Sequence, residues 1–342
     1  MKLFKIIFYK TYFYVFYLLK KVHNRIQRSA KQSNNSSLLY NKANDYNSNW
    51  YNHEYWLADE YRMEVYQQAI RKYVKSGSIV IDMGSGIGIM AFLASMAGAT
   101  KIYSLERNEI IKTAKILAKE NGFTNIDFLE GDSRKASIPE KVDVIIHVQM
   151  GHFLFHADML ELLSDLRDKY LKKNGRILPN KFKFYAEPVQ IKSAWRVPYL
   201  WNLKIKSINF ESLKSHSIEK KWGYTYTLIQ PSNIDFFLTE PVPLIEFDLE
   251  EFEIKDIPLH YNIHRVIEKP GRLDGLYLYF EAYFDDLLVI STKPESENYA
   301  RSWRGVLYRT ESEELSHHSK IEYDLTIHNL ADPDTWNFDR IK

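Results

Sequence analysis

One stretch constrains this chain more than any other. Ser78-Ile79-Val80-Ile81-Asp82-Met83 is a short β-branched run ending near an acid. Three glycines then alternate with other residues (Gly84, Gly86, Gly88) before a helical pattern starts at Ile89. This reads as a strand, a tight turn and a helix N-terminus. Glycine adds no Cβ and tolerates φ > 0, so such a turn lets a ligand approach the backbone closely. Further on, Lys101-Ile102-Tyr103-Ser104-Leu105-Glu106 reads as a second strand with an acid at its end, placed to bind ribose hydroxyls. A G-x-G-x-G alone is also met in plain structural turns. With an acid at both strand ends, the context favours a nucleoside cofactor.

Strand and helix patterns alternate on both sides of this turn. A helical spacing runs over residues 56–74, helices are expected at 88–97, 109–120 and 159–170, and strands at 102–105, 126–129 and 142–148. Asn174-Gly175 reads as a turn, with another strand beginning at Arg176. Alternation of this kind argues for a Rossmann-like, mostly parallel sheet covered on both faces. After Pro179 the pattern changes to strand-like, often alternating runs at 183–189, 245–252, 275–284, 287–291, 306–308 and 321–327, expected to be antiparallel. Between them, the aromatic stretch 194–213 (Trp195, Tyr199, Trp201) reads as helical.

The 342 residues allow two domains. There is no cysteine, which excludes disulfides and thiolate catalysis and fits a cytoplasmic enzyme. The net charge of +2 gives no sign of a nucleic-acid binder. That charge is uneven: residues 1–42 hold nine lysines and arginines and no acid, leaving a net −7 on the remainder. At helical spacing Phe4, Phe8, Tyr12, Val15, Leu19, Val22 and Ile26 form one stripe, with nearly all basic residues opposite. Lys5 and Lys10 interrupt the apolar run, so it is too short to span a bilayer. Two readings stay open for residues 1–31: peripheral contact with the inner face of an anionic membrane, or packing on the body or a partner subunit. The expected division is a basic amphipathic helix and linker over 1–43, a Rossmann-like domain over 44–180 and an antiparallel domain over 181–342.

Several segments together resemble the protein arginine methyltransferases, a branch of the class I S-adenosylmethionine (SAM)-dependent enzymes. These are Asp59-Glu60-Tyr61-Arg62, the glycine turn, Pro139-Glu140-Lys141-Val142-Asp143, Met150-Gly151, Arg167-Asp168-Lys169-Tyr170-Leu171, Asn174-Gly175-Arg176-Ile177-Leu178-Pro179, and Thr292 followed by Trp303-Arg304. The resemblance covers roughly residue 52 to the C-terminus. It implies a Rossmann-like domain, a β-barrel-like domain with a helical dimerisation arm (here near 190–225), a homodimer, and SAM as cofactor. It also implies cofactor roles for Asp82, Gly84, Gly86 and Gly88 in the turn, Glu106 on the ribose hydroxyls and Arg62 on the cofactor carboxylate, which a guanidinium can grip bidentately. Asp132 or Ser133 would meet the adenine amine. Met150 and Trp303 would face the substrate. Read from the residues alone, Arg62 could instead pair with Asp59 or Glu60, and Asp132 could be an ordinary turn acid.

The chain departs from this pattern where the acceptor is bound. Arginine methylation needs two carboxylates to hold a guanidinium flat. Val148 and Ala157 stand where the family's glutamates are expected, and Ser302 replaces a histidine. A buried guanidinium without carboxylates would cost several kcal/mol. The same loop carries His147, His152 and His156, any of which could be a base for an uncharged oxygen or nitrogen acceptor, or simply fill space. No carboxylate lies at clear ligand spacing from them, so no metal is expected. Three functions follow: a methyltransferase acting on a non-guanidinium acceptor such as a small molecule, glycan or lipid-linked precursor; an arginine methyltransferase using Asp158; or a catalytically silent SAM-binding scaffold.

Overall fold

The computed structural model describes residues 49–155, 158–215, 226–294 and 299–341. The expected N-terminal helix and linker, His156 and Ala157 lie outside the described residues. Among those described, no helix is long and apolar enough to cross a membrane.

The described chain opens with two helices, α1 (Trp50–Leu57) and α2 (Glu60–Tyr73). The spacing predicts one helix from Trp56 onward, but the chain breaks at Ala58-Asp59. Asp59 is the cause: its carboxylate accepts from the Arg62 backbone N–H at 3.3 Å and so caps α2. Asn49 caps α1 in the same way, accepting from Tyr51 N–H at 2.9 Å.

The first sheet contains β1 (Ile79–Met83), β2 (Lys101–Glu106), β3 (Ile126–Glu130), β4 (Val142–His147) and β5 (Leu171–Leu178). Its helices are α3 (Ile89–Met96), α4 (Ile111–Glu120) and α5 (Met159–Tyr170). All strands are parallel, in the order β3-β2-β1-β4-β5. The chain therefore turns one way from β1 to β3 and the other way to β4. That reversal opens a crevice at the carboxyl ends of β1 and β4, where ligands of such sheets bind. The glycine turn lies at this point. Asn174-Gly175, expected as a turn, falls inside β5, where the register with β4 shifts between Val142 and Val144.

Beyond Pro179 come β6 (Lys181–Ile191), β7 (Lys204–Ile205), β8 (Ile208–Asn209), β9 (Tyr226–Ile229), β10 (Ile234–Phe237), β11 (Ile245–Asp248), β12 (His260–Val266), β13 (Gly271–Tyr283), β14 (Val289–Ser291), β15 (Gly305–Leu315), β16 (Lys320–Ile327) and β17 (Trp336–Ile341). One antiparallel sheet runs β10-β6-β13-β15-β9, with β11 also on β6 and β14 on β13; a second runs β12-β16-β17. These sheets do not close into a barrel among the described residues. The stretch 194–213 is not a helix: it makes short 3₁₀ turns at Ser193–Trp195 and Leu200–Asn202 and the two-residue hairpin β7-β8.

The two halves meet through buried rings. Phe155 packs against Phe184 and Trp336 at centroid distances of 5.5 and 6.0 Å, and Phe153 meets the edge of Trp336 at 6.1 Å. Each ring so withdrawn from water contributes about 2 kcal/mol. The loop after β4 is thus held against the antiparallel half. On the other side, Tyr61 Oη donates to Val289 O at 2.8 Å, and Tyr66 packs edge-on to Phe284.

Candidate active site

The glycine turn is backbone-bonded to the strand beside it. Gly84 and Ser85 N–H both donate to Leu105 O, at 2.8 and 3.0 Å. Gly84, Gly86 and Gly88 all have positive φ, at 68°, 55° and 90°, and a Cβ on Gly86 would come within 2.8 Å of the His53 ring. Only glycine meets both conditions there. The buried Glu106 carboxylate accepts from Gly86 N–H at 2.9 Å and from Asn108 N–H at 2.8 Å. The acid at the end of β2 and the turn after β1 are therefore one rigid unit. Asp82 accepts from Ala91 N–H at 3.0 Å, fixing the start of α3. Burial pushes its carboxyl up to about 7, opposed by the Ala91 bond and reinforced by Glu106.

Arg62 is 5% exposed and has no ion pair with Asp59 or Glu60 among the described residues. One nitrogen donates to Trp56 O at 2.6 Å and another to Ser302 Oγ at 3.3 Å, while the guanidinium lies 5.2 Å from the centre of the Trp303 ring. Its Nε has no partner. Burial lowers its pKa, with Tyr66 and Asp59 acting in the opposite direction. A buried cation short of a carboxylate is what the carboxylate end of an amino-acid-like ligand would complete. Asp59 instead accepts from Ser302 N–H at 2.7 Å, tying α2 to the segment that carries Trp303.

That segment reaches the loop after β4. Trp303 Nε1 donates to Met150 O at 2.8 Å, and Arg304 N–H donates to His152 Nδ1 at 3.1 Å. Met150 and Trp303 are both buried. The three histidines of this loop differ. His147 is fully buried, its Nε2–H donating to Pro179 O at 2.9 Å, and burial pushes its pKa down to about 4. It is a neutral structural imidazole, without an open face toward an acceptor. His152 holds the Arg304 N–H on Nδ1, which leaves the proton of its neutral form on Nε2. His156 lies outside the described residues.

Asp132 and Asp158 both lie near Arg134. Asp132 binds Arg134 through both oxygens, at 2.9 and 2.6 Å, and caps the 3₁₀ turn Ser133–Lys135. The Arg134 bonds hold its carboxyl below the usual range against the opposing effect of burial. Asp132 thus behaves as a turn acid, while its neighbour Gly131 donates to Glu106 O at 3.0 Å and keeps Ser133 near the end of β2. Asp158 is half-buried, with φ 57°. Burial raises its pKa, with Arg134 opposing and Asp132 reinforcing. Its electrostatic neighbours are thus on the β3 side of the sheet. No cluster of histidines and acids suited to a metal occurs among the described residues.

Two residues at the crevice carried no signal in the sequence. His53 reaches Gly86 from α1 and meets Trp56 edge-on at 5.1 Å, and the Gln149 amide occupies the space a Cβ on Gly84 would need. Both approach the turn through tertiary packing, outside any motif.

The comparisons with known proteins agree with this geometry. A family model described as a methyltransferase domain matches residues 74–227. Protein arginine N-methyltransferase 6 of Danio rerio is 26% identical over 286 residues, covering 81% of each chain. Protein arginine N-methyltransferase 1.1 of Arabidopsis thaliana is 30% identical over 264 residues, covering 75% of this chain and 66% of the relative. In structure, the chain resembles the Trypanosoma brucei PRMT1 enzyme-prozyme heterotetrameric complex with AdoHcy (TM-score 0.71, 20% identity, 86% of this chain and 99% of that one). It also resembles Arabidopsis thaliana protein arginine methyltransferase 10 (TM-score 0.69, 20% identity, 86% and 97%).

The chain is a class I SAM-dependent methyltransferase. Within that class it has the build of the protein arginine methyltransferases, and SAM is its cofactor. The crevice fits that cofactor on its own chemistry. Positive-φ glycines bare the backbone, Glu106 ends β2, and the buried Arg62 has a nitrogen to satisfy.

Proposed function

We propose that the chain methylates an oxygen or nitrogen acceptor other than a guanidinium. The observation that carries this reading is the loop between β4 and α5, which contains no acid from His147 to Ala157, with Val148 in the place of the first expected glutamate. Asp158, the nearest acid, supplies one carboxylate at most, and burial raises its pKa. A guanidinium entering such a loop would lose its hydration without gaining a carboxylate pair.

The assignments within the site are part of the same proposal. Arg62 would hold the cofactor carboxylate, Glu106 the ribose hydroxyls, and the backbone at Gly84, Gly86 and Gly88 would line the bound cofactor, with Ser133 at the adenine end. Met150 and Trp303 would form the wall toward the acceptor. The cofactor supplies a sulfonium-bound methyl for in-line displacement, so the main task of these residues is to position the nucleophile against it. To act as a base through Nδ1, His152 would first have to release the Arg304 N–H.

A second reading is favoured by the relatives, which are named protein arginine N-methyltransferases. One experiment separates the two. Full-length protein is incubated with methyl-labelled SAM and a glycine-arginine-rich peptide, alongside the Val148→Glu, Ala157→Glu double variant. No label on the peptide with the native chain, and labelling by the variant, is the expected outcome. Efficient labelling by the native chain overturns the proposal. If the cofactor binds but no acceptor class is labelled, the chain is a silent scaffold. We also propose a homodimer, supported by the heterotetrameric assembly of the trypanosomal relative; sedimentation as a monomer at micromolar concentration would refute it.

A further inference from the structure

Gln149 stands just past the end of β4, beside the glycine turn that follows β1. β1 and β4 are neighbours in the sheet, with Met83 paired to His147, so the residues just beyond each strand border the same crevice. The Gln149 amide fills the space that a Cβ on Gly84 would need, and the atoms nearest to that point are Nε2, Cδ and Cγ. Nε2 therefore faces the cofactor turn, and Oε1 is turned away from it. The side chain is half-buried, and its amide makes no hydrogen bond among the described residues.

Two histidines of the same loop are already committed: His147 donates to Pro179 O, and His152 holds the Arg304 N–H. The backbone on either side of Gln149 is fixed as well. His147 O accepts from Tyr66 Oη and Met150 O from Trp303 Nε1, both at 2.8 Å. Beyond it Gly151 and Leu154 close a bridge, with N–H···O bonds of 3.2 and 3.1 Å. A carboxamide without a protein partner, on a backbone held at both ends, is a preorganised hydrogen-bonding group between the cofactor turn and the Met150–Trp303 wall.

We propose that the Gln149 carboxamide holds the nucleophile, and that the nucleophile is a neutral nitrogen carrying at least one hydrogen. Oε1 accepts its N–H and leaves its lone pair for the methyl group. The inference rests on the non-guanidinium reading above and narrows the acceptor atom from oxygen or nitrogen to nitrogen. A carboxamide oxygen accepts a hydrogen bond but is no base at neutral pH. It suits a nucleophile that need not lose a proton as it attacks, whereas a hydroxyl needs a base to take its proton. The nitrogen lone pair forms the new N–C bond, the electrons of the broken C–S bond stay on sulfur as a thioether, and the cationic nitrogen then releases a proton to water. A guanidinium gains little here, because the amide offers one oxygen and no charge.

The test uses the full-length protein and two analogues of S-adenosylhomocysteine in which a tertiary nitrogen replaces the sulfur and carries either a 2-anilinoethyl or a 2-phenoxyethyl arm. The arms differ only in an N–H against an ether oxygen, and the shared cofactor part brings both to the crevice. By calorimetry the anilino analogue should bind about fivefold more tightly, as expected for one hydrogen bond. Gln149→Leu should abolish that preference while S-adenosylhomocysteine affinity stays within about twofold, and Gln149→Glu, which keeps an accepting oxygen, should retain it. Equal binding of the two analogues by the native chain, or a preference that survives Gln149→Leu, overturns the inference while leaving the proposed function standing. So does a Gln149→Leu protein that loses as much affinity for S-adenosylhomocysteine as for the anilino analogue, because Gln149 would then serve the cofactor. Labelling of the arginine-rich peptide overturns the reading beneath it, whatever the two arms do.

Discussion

The end of β1 and the end of β4 lie side by side in one sheet and differ in what their residues do. At β1, Gly84, Gly86 and Gly88 hold a backbone shape that Glu106 locks from β2, and nearly every polar group there aims at the turn. At β4, the residues that would define an acceptor are apolar or committed to packing: Val148, the buried His147 and the Phe153–Phe155–Trp336 ring cluster. The donor side is thus specified by backbone geometry, which tolerates little change. The acceptor side is specified by a few side chains on a loop held by ring packing, and these can be exchanged without disturbing the sheet. This is how one architecture serves different acceptors.

If backbone geometry governs the donor side, the largest effect should come from filling it. Gly86→Arg places a Cβ against His53 at a φ of 55°, and should lower SAM affinity more than a hundredfold by calorimetry, with the melting transition retained. A Gly86→Arg protein that still binds normally would break the contrast. Arg62→Met keeps the buried volume but removes the guanidinium, and should weaken SAM by about 10- to 100-fold, as expected for one charge-assisted hydrogen-bonded contact. The same change should hardly affect S-adenosyl ligands that lack the carboxylate, and that difference identifies what Arg62 holds.

A smaller loss is expected from Glu106→Gln. The amide oxygen can still accept from Gly86 or Asn108, but not with the charge of a carboxylate that receives both. About a tenfold drop in SAM affinity should follow, with a lesser drop for 2′,3′-deoxy analogues. An equal drop for both would mean that Glu106 only shapes the turn.

The turn after β1 was largely legible in the sequence because its signals are local. Three glycines at alternate positions can be recognised within a dozen residues, and Glu106 follows at the end of the next strand. Arg62 stands in a short recognisable segment, though its partners Trp56 O and Ser302 Oγ, and its position over Trp303, appear only in three dimensions. His53 and Gln149 were not legible: each closes on a glycine from a distant part of the chain. Residues 194–213 read as a helix because the stretch is aromatic, with Trp195, Tyr199 and Trp201. Instead, Trp195 is largely exposed, and Trp201 donates to the exposed Glu311 carboxylate at 2.9 Å. Strand β12 escaped notice because its less exposed side carries Tyr261, Ile263 and Arg265, with only Ile263 buried, so its alternation holds few apolar residues to read.

The subtlest test compares the two strand ends through their protons. Asp82 and His147 are both buried, and burial shifts their pKa values oppositely, to about 7 and about 4. Between about pH 4 and 7 the folded chain holds the Asp82 proton that the unfolded chain has lost, so this contribution is full below pH 4 and disappears as pH rises through 7. His147 acts in the other direction. Its contribution is full above its ordinary 6.5 and disappears as pH falls through 4. From pH 4 to 6.5 the two slopes oppose each other, each bounded at about 1.4 kcal/mol per pH unit. Asp82→Asn should therefore make stability to urea rise with pH across this window relative to the native chain, and His147→Gln, which keeps a donor for Pro179 O, should make it fall. If both variants keep the native slope, neither proton is held as the geometry implies, and the contrast between a donor side built on Asp82 and an acceptor loop rooted on His147 loses its electrostatic half.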